Sequence, residues 1–461
     1  MSLDAVLARI DADLPASLDR LFDLVRLKSI SADPAFFADV RAAAEWCVRE
    51  LAALGFEASL RETPGQPMVV AHWRGAVKNP AVRALVYGHY DVQPVDPLNL
   101  WHADPFDPKI ETRDGVTVVT GRGSADDKGQ LLTMIEAMRA LIAVDGALPV
   151  NVTVLVEGEE ESGSPSLEGF LEANAEELSC DVAFICDTNM WARGRPAITG
   201  SLRGLVGEEV VITCADRDLH SGLFGGAGWN PIRVLTRILG SLHDDHGRVT
   251  LPGFYAGVED LPETVRASWE TLGASPEVML APVGLQTPAG EKGRGLLEQL
   301  WTRPTCDING ITGGYTGDGF KTVLPSKASA KVSFRLVAGQ DPAAIRLAFR
   351  NRVEEMLPPD AVAEFHPHGG SPGIALPFDS PWLVKGLAAL EAEWNVPAVV
   401  IGCGASIPIV GAFQRLLGMP SVLVGFGLDD DRIHSPNEKY DLESFHKGTR
   451  SWARIFAGLA G

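Results

Sequence analysis

Gly121-Arg122-Gly123-Ser124-Ala125-Asp126-Asp127-Lys128-Gly129-Gln130 places two adjacent carboxylates between a glycine-rich segment and an apolar run at residues 131–137. The run repeats apolar residues at helical spacing, so the two aspartates are predicted to lie at a strand-to-helix turn. Asp often caps a helix, because its side-chain oxygen accepts a backbone N–H that the helix leaves unpaired. Taken alone, the motif therefore favours a structural cap over a chemical role.

Three other apolar runs also end in imidazole or carboxylate groups. His89-x-Asp91 follows residues 85–88, Glu159-Glu160-Glu161 follow a predicted strand at 150–156, and Asp187 follows residues 183–186. In open α/β sheets, ligands bind outside the carboxyl ends of the strands. Residues i and i+2 of a strand share a face, so Asp91 can orient His89. The repetition favours a shared site over separate surface residues.

Each of these residues also has a structural explanation. A block of three glutamates is usually a solvated acidic turn. His434 in a polar loop and His220 beside Gly222 are, one at a time, ordinary loop histidines. Arg335 on the polar face of a strand is an ordinary solvated charge. Only the motifs that surround these residues decide between the two interpretations.

Taken in order, the motifs resemble the M20 family of dinuclear zinc amidohydrolases, and within it the carnosine-dipeptidase branch. The resemblance covers nearly the whole chain. It rests on these segments: His89-x-Asp91, Gly123-Ser124-Ala125-Asp126-Asp127-Lys128-Gly129, Glu160-Glu161-Ser162-Gly163-Ser164, Asp187, Asp216-Arg217-Asp218-Leu219-His220-Ser221-Gly222-Leu223-Phe224-Gly225-Gly226, Gly319-Phe320-Lys321-Thr322-Val323-Leu324-Pro325 and Ile433-His434-Ser435-Pro436-Asn437-Glu438-Lys439.

The resemblance implies a centre that holds two divalent metal ions per subunit. Asp126 would bridge both ions, with His89 and Asp187 completing one site and Glu161 and His434 the other. Zn is the expected metal, and Mn or Co also suit imidazole and carboxylate ligands. A hydroxide between the two ions would be the nucleophile. The Asp126–Asp127 peptide bond is expected to be cis.

The resemblance also implies roles for residues that bind no metal. Glu160 would be the general base. His220 would reach the active site of a neighbouring subunit and stabilise the oxyanion, and Arg335 would clamp a terminal carboxylate of the substrate. Weaker matches place Thr322, His368 and Ser406 in contact with the substrate.

The pattern of predicted elements divides the chain into two domains. Strands and helices alternate through residues 1–200 and again over 375–461, which predicts an α/β domain with a mixed, largely parallel sheet flanked by helices. Residues 201–374 are predicted to form an inserted α+β domain. The resemblance implies that the first domain is catalytic and of the zinc-exopeptidase type, and that the insert serves as a lid and dimerisation domain. Within it, residues 331–337 alternate strictly, so Val332, Phe334 and Leu336 should face a core while Arg335 faces outward.

Composition excludes several classes of protein. A formal net charge of −20 argues against nucleic-acid binding, which depends on Lys and Arg at the phosphates. No run approaches the roughly 20 apolar residues that span a bilayer, and the first residues do not resemble a signal peptide. Six cysteines without Cys-x-x-Cys pairs suggest reduced thiols and a cytoplasmic location.

Together with composition, the resemblance implies a cytoplasmic, homodimeric metallopeptidase that hydrolyses a small peptide next to a free C-terminal carboxylate. An N-acyl-amino-acid deacylase is the alternative, because it would use the same metals and the same Arg335. A non-catalytic peptide-binding protein on this fold is disfavoured, since neither Glu160 nor any expected ligand is missing.

Overall fold

A computed structural model describes residues 2–76, 78–404 and 407–461. The chain forms two compact units. Unit 1 comprises Met1–Gly200, Leu376–Ile401 and Pro408–Gly461, and unit 2 comprises Ser201–Ala375 and Gly402–Ile407. The roles of lid and dimerisation domain, expected for the insert, stay predictions.

The strands and helices are numbered in chain order. The strands are β1 Glu57–Arg61, β2 Met68–Trp73, β3 Asn79–His89, β4 Lys109–Arg113, β5 Val116–Thr120, β6 Val150–Glu157, β7 Val182–Ile185, β8 Ala197–Leu202, β9 Gly204–Thr213, β10 Leu219–His220, β11 Thr305–Gly313, β12 Val323–Leu324, β13 Lys327–Leu336, β14 Val362–Ser371, β15 Ile374–Ala375, β16 Val399–Cys403, β17 Ser421–Leu423 and β18 Lys439–Asp441. The α-helices are α1 Leu3–Val25, α2 Phe37–Ala53, α3 Lys128–Asp145, α4 Leu167–Ala173, α5 Ala175–Leu178, α6 Ser221–Phe224, α7 Pro231–Gly240, α8 Glu263–Glu270, α9 Pro276–Met279, α10 Leu296–Trp301, α11 Pro342–Met356, α12 Pro381–Trp394, α13 Pro408–Leu417 and α14 Leu442–Leu459.

The main sheet of unit 1 runs β1-β2-β6-β3-β7-β17-β8. Its centre is parallel, since β6 pairs with β3, β3 with β7 and β7 with β17 in that sense. Antiparallel pairs, β1 with β2, β2 with β6 and β17 with β8, flank this centre. The predicted mixed α/β sheet is confirmed, with parallel pairing concentrated in the middle strands. Those strands are almost continuous apolar runs, as expected for strands covered on both faces.

Helices α1, α3, α12 and α14 pack together in the core of unit 1. Helix α3 is buried along most of its length, and for that reason its polar first turn is enclosed by protein. The buried Lys128 ammonium donates to the carbonyls of Leu24 and Leu27 at the end of α1, 3.1 and 2.6 Å away. The end of α1 therefore helps to fix the start of α3, directly after Asp126 and Asp127.

A small sheet, β18-β5-β4, brings two distant loops of unit 1 together. Strand β5 leads into the loop that begins at Gly121, and β18 follows the loop that ends at Glu438. Because Thr120 pairs with Lys439 in an antiparallel register, the two loops leave the sheet side by side. The amide of Gly121 donates to the carbonyl of Glu438 over 3.2 Å.

Unit 2 is built on the antiparallel sheet β11-β13-β9-β14. Its buried face packs with α7 and α11 in a core of its own. Val332, Phe334 and Leu336 belong to this core while Arg335 does not, so the predicted alternation is confirmed. The short strands β10 and β12 pair separately, with His220 opposite Val323.

Across the described part of the chain, we find no helix with the length and apolar character that a membrane span requires. The structure describes all six cysteines, and none of them forms a disulfide bond.

Candidate metal centre

The parallel strands of unit 1 deliver polar side chains to one edge of the sheet. His89 is the last residue of β3 and pairs with Glu157 at the end of β6. On its other side, Tyr87 of β3 pairs with Ile185 at the end of β7, two residues before Asp187. Parallel strands end at the same edge, so His89, Asp187 and the glutamates after β6 converge there.

Two groups of candidate ligands share one carboxylate. The Nε2 atom of His89 lies 3.1 Å from Oδ1 of Asp126 and 3.8 Å from Oδ2 of Asp187. The Nε2 atom of His434 lies 3.0 Å from Oδ2 of Asp126 and 3.2 Å from Oε2 of Glu161. Asp126 therefore presents a different oxygen to each imidazole, which is the arrangement of a bridging carboxylate.

The chemistry of these groups fits two divalent cations. In each set, the ligand atoms all lie within 4.8 Å of one another. Burial raises the pKa of Asp187 well above its usual range, and the nearby charges of Asp126 and Asp127 raise it further. A cation at this position would favour the ionised form of Asp187. Two imidazoles and three carboxylates are donors that zinc, manganese and cobalt accept.

The candidate ligand His89 is oriented from its other side. Its Nδ1 atom lies 3.1 Å from the backbone oxygen of Asp91 and 3.3 Å from the carboxylate Oδ1 of the same residue. The buried Asp91 also accepts hydrogen bonds at Oδ2 from the hydroxyl of Ser31 and the amide of Glu161, at 2.6 and 3.0 Å. One carboxylate thus touches residues of both candidate metal sites, as an orienting residue should.

Asp127 is not the helix cap that its position suggested. It precedes α3, but its side chain makes no capping hydrogen bond. Instead its Oδ2 accepts from the amide of His89 at 3.0 Å and from the thiol of Cys186 at 3.2 Å. Burial raises the pKa of Asp127 to about 7. The peptide bond between Asp126 and Asp127 is cis, as the family resemblance predicted.

The three consecutive glutamates have three different environments. Glu159 is buried and accepts from the amides of Gln66 and Ser166, at 2.8 and 3.2 Å. Glu161 faces His434, as described above. Glu160 lies mostly out of solvent, and burial raises its pKa, an effect that Glu161, Asp91 and Asp126 reinforce. The segment is thus not a solvated acidic turn.

A buried ion pair that the sequence analysis did not single out joins the two loops of the centre. Nη1 of Arg122 donates to Oε2 of Glu438 over 2.7 Å, and both side chains are almost completely buried. The same carboxylate accepts from the amides of Gly123, Ala125 and Asp126, at 2.9, 2.9 and 3.1 Å. Hydrogen bonds to Glu438, four residues after His434, therefore fix the position of the loop that carries Asp126.

The loop of His434 is held in a compact form. Arg432, His434 and Asn437 all have positive φ angles between 57° and 65°. The Asn437 side chain accepts from the amide of His102 and donates to the carbonyl of Leu100, at 2.7 and 2.9 Å. Hydrogen bonds to Asp126 and Glu161 raise the pKa of His434 to about 10.

The other predicted site residues belong to unit 2. His220, at the end of β10, is exposed, and its Nδ1 accepts from the amide of Gly222 at 3.0 Å. Thr322 accepts from the amide of Ser221 through its carbonyl, at 3.1 Å, so it lies beside His220. Arg335 lies on the outward face of β13. The side chain of His368 on β14 is 60% exposed, and its Nε2 atom lies 3.8 Å from Oε2 of Glu209. Ser406 lies outside the described residues.

The chain matches the model of peptidase family M20/M25/M40 over residues 85–457. It is similar to Cys-Gly metallodipeptidase DUG1 of Candida albicans, with 31% identity over 454 residues that span 95% of this chain and 93% of the relative. It is also 32% identical to human Beta-Ala-His dipeptidase over 380 residues, which cover 81% of this chain and 74% of that protein.

Among solved structures, the chain is similar to the M20 family metallo-carboxypeptidase Sso-CP2 from Sulfolobus solfataricus. The TM-score is 0.78 at 30% sequence identity, and the alignment covers 95% of this chain and 98% of the other.

Proposed function

The chain belongs to peptidase family M20/M25/M40, and we propose that it is a metal-dependent dipeptidase that hydrolyses a peptide bond next to a free C-terminal carboxylate. One observation carries the proposal: the two oxygens of Asp126 face His89 and His434 separately, with Asp187 and Glu161 beside them. A single carboxylate shared by two imidazole–carboxylate sets is what two adjacent cations require. The similarity to two dipeptidases supports dipeptides as the substrate class.

In this proposal, His89 and Asp187 would hold one cation, Glu161 and His434 would hold the other, and Asp126 would contribute to both sites. A pair of divalent cations, when bound, lowers the pKa of water towards 7 and polarises the carbonyl of the scissile bond. Asp91 contacts Nδ1 of His89 through its backbone oxygen and its carboxylate, which leaves Nε2 as the nitrogen that would face the cation.

Glu160 is the proposed general base. It follows the strand that leads to Glu161, yet among the described residues it belongs to neither ligand set. Its raised pKa suits a carboxylate that takes a proton from water and passes it to the leaving nitrogen.

The residues of unit 2 are proposed to handle the substrate and its oxyanion. Arg335 presents paired N–H donors that suit a terminal carboxylate. His220 is proposed to donate to the developing oxyanion in the partner of a homodimer, and Thr322, His368 and Ser406 to contact the substrate. Zn is the proposed native metal and the cytoplasm the proposed location.

A substrate panel tests the function. The purified protein, loaded with Zn or Mn, is assayed against dipeptides and against N-acetyl amino acids with the same C-terminal residue. The dipeptides should be hydrolysed and the N-acetyl compounds should not, because the relatives are dipeptidases. A Glu160→Gln preparation, purified identically, controls for contaminating peptidases. Faster cleavage of the N-acetyl series would overturn the dipeptidase proposal in favour of deacylation.

A further inference from the structure

Arg203 and Arg335 lie on the same face of the sheet in unit 2. In the β9–β13 pair, Leu205 is opposite Arg335 and Gly204 opposite Leu336. Buried and partly exposed residues alternate without interruption from Leu202 through β9, which puts Arg203 and Leu205 on one side. Arg203 is thus a diagonal cross-strand neighbour of Arg335, at a spacing that long side chains bridge.

These two arginines lack the carboxylates that other arginines of unit 2 have. Arg303 makes two hydrogen bonds to the buried Glu291, and Arg346 and Arg350 share the buried Glu208. Neither Arg203 nor Arg335 forms an ion pair with any residue in the described part of the chain. A partly buried cation beside a second cation is unfavourable unless an anion joins them.

The surroundings of Arg203 offer little compensation within the protein. Its Nε donates to the carbonyl of Gly404 over 3.2 Å, and its Nη groups form no ion pair with a carboxylate of the described residues. Burial lowers the pKa of Arg203, the charge of Arg335 lowers it further, and the charge of Asp307 acts in the opposite direction. The nearby Asp307 is exposed and accepts from the hydroxyl of Thr305 at 3.1 Å.

Arg203 also borders a cavity inside unit 2. The cavity has a volume of about 500 Å³, and Arg203, His243, Leu300, Thr305 and Asp307 are among the residues that line it. This space is large enough for an amino-acid side chain. Glu291 and Arg303, which pair with each other, and the exposed Asp307 line it too. Arg203 forms no ion pair among the described residues, so it is the cation of this lining that can select a side chain of opposite charge.

We propose that Arg203 binds a second anionic group of the substrate, so that the enzyme prefers dipeptides whose C-terminal residue has a carboxylate side chain. The inference rests on the proposed function, in which Arg335 binds the main-chain carboxylate. Two adjacent cations then meet two carboxylates of one residue, and the charges balance. The guanidinium forms paired, charge-assisted hydrogen bonds with a carboxylate, whereas an amide of the same shape gains much less.

The test compares Ala-Glu with Ala-Gln, which have the same shape and differ in charge. For the metal-loaded wild-type protein, kcat/KM should be roughly ten- to a hundredfold higher for Ala-Glu, the range for one hydrogen bond between charged groups. Arg203→Met should remove that preference and leave kcat/KM for Ala-Gln within a few-fold of wild type. Arg203→Lys should restore part of the preference. Arg237→Met, which removes an exposed arginine of α7, should retain all of it.

Two results would overturn the inference. Equal kcat/KM for Ala-Glu and Ala-Gln in the wild type would show that no second anion is selected. An equal loss for both substrates in Arg203→Met would assign Arg203 to holding the Gly404 carbonyl instead. Failure to cleave any dipeptide at all is a distinct outcome, because it would contradict the proposed function itself.

Discussion

Two candidate ligands of unit 1, His89 and Asp126, and two candidate substrate residues of unit 2, His220 and His368, are held in opposite ways. His89 and Asp126 are buried, and each touches further side chains or amides that fix its orientation. His220 and His368 are exposed, and their side chains make polar contacts only with the Gly222 amide and the Glu209 carboxylate, respectively, among the described residues. A preorganised centre can bind metal within one chain, whereas exposed residues gain a role only from what binds to them. We therefore expect a single subunit to bind metal, whereas His220 and His368 act only when a substrate or a second subunit is present.

The first prediction tests whether Glu160 of unit 1 acts as the general base without binding metal. Glu160→Gln should lower kcat by a factor of about 10²–10⁴, the usual contribution of a general base. Metal content should be unchanged, because Glu160 belongs to neither ligand set. The measurement is steady-state kinetics together with metal analysis of the same sample. A variant with full activity would remove Glu160 from the mechanism.

The second prediction concerns unit 2 and asks whether an exposed residue acts across subunits. His220→Ala should lower kcat by about 10²–10³, the range for losing one oxyanion donor, while both metal ions are retained. Mixing this variant with Glu160→Gln under subunit exchange should restore part of the activity, since one site then has both residues. If exchange is verified and the mixture stays inactive, His220 does not act in the partner.

The third prediction tests the attachment of the two metal-binding loops. Glu438→Gln keeps the shape of the side chain but removes the charge that Arg122 and three amides contact. Metal affinity should fall by about 10–100-fold, which is typical when a residue behind the ligands is changed. Competition with a chelating dye measures this affinity.

A matched control distinguishes positioning from general destabilisation. Glu393 is also buried in unit 1 and pairs with Arg450 and Arg454, neither of which belongs to the ligand loops. Glu393→Gln should lower the melting temperature and leave metal affinity unchanged. A comparable loss of affinity in both variants would mean that Glu438 contributes only to stability.

Local sequence patterns were sufficient to predict some of these features. The apolar runs before His89 and Asp187 become adjacent parallel strands that end at one edge of the sheet. The alternation of apolar and polar residues at 331–337 predicts which residues of β13 are buried and which face outward. In both cases the information lies within a few residues, because side chains alternate along a strand and strand ends attract polar groups.

Features that depend on distant partners were not predictable in the same way. Arg122 and Glu438 are 316 residues apart, and no local pattern indicates that they form a pair. Asp127 has the sequence environment of a cap, yet the amide of His89 and the thiol of Cys186 occupy its carboxylate. The spatial order of the strands, with β6 between β2 and β3, likewise follows from packing of the whole unit.

The most direct test of the central claim is the number of metal ions bound per chain. Protein dialysed against buffered Zn or Mn is analysed by mass spectrometry of the metal, for wild type and for His434→Ala. Because Asp126 serves both ligand sets and His434 only one, the account predicts two ions in the wild type and one in the variant. One ion in the wild type, or two in His434→Ala, would contradict it.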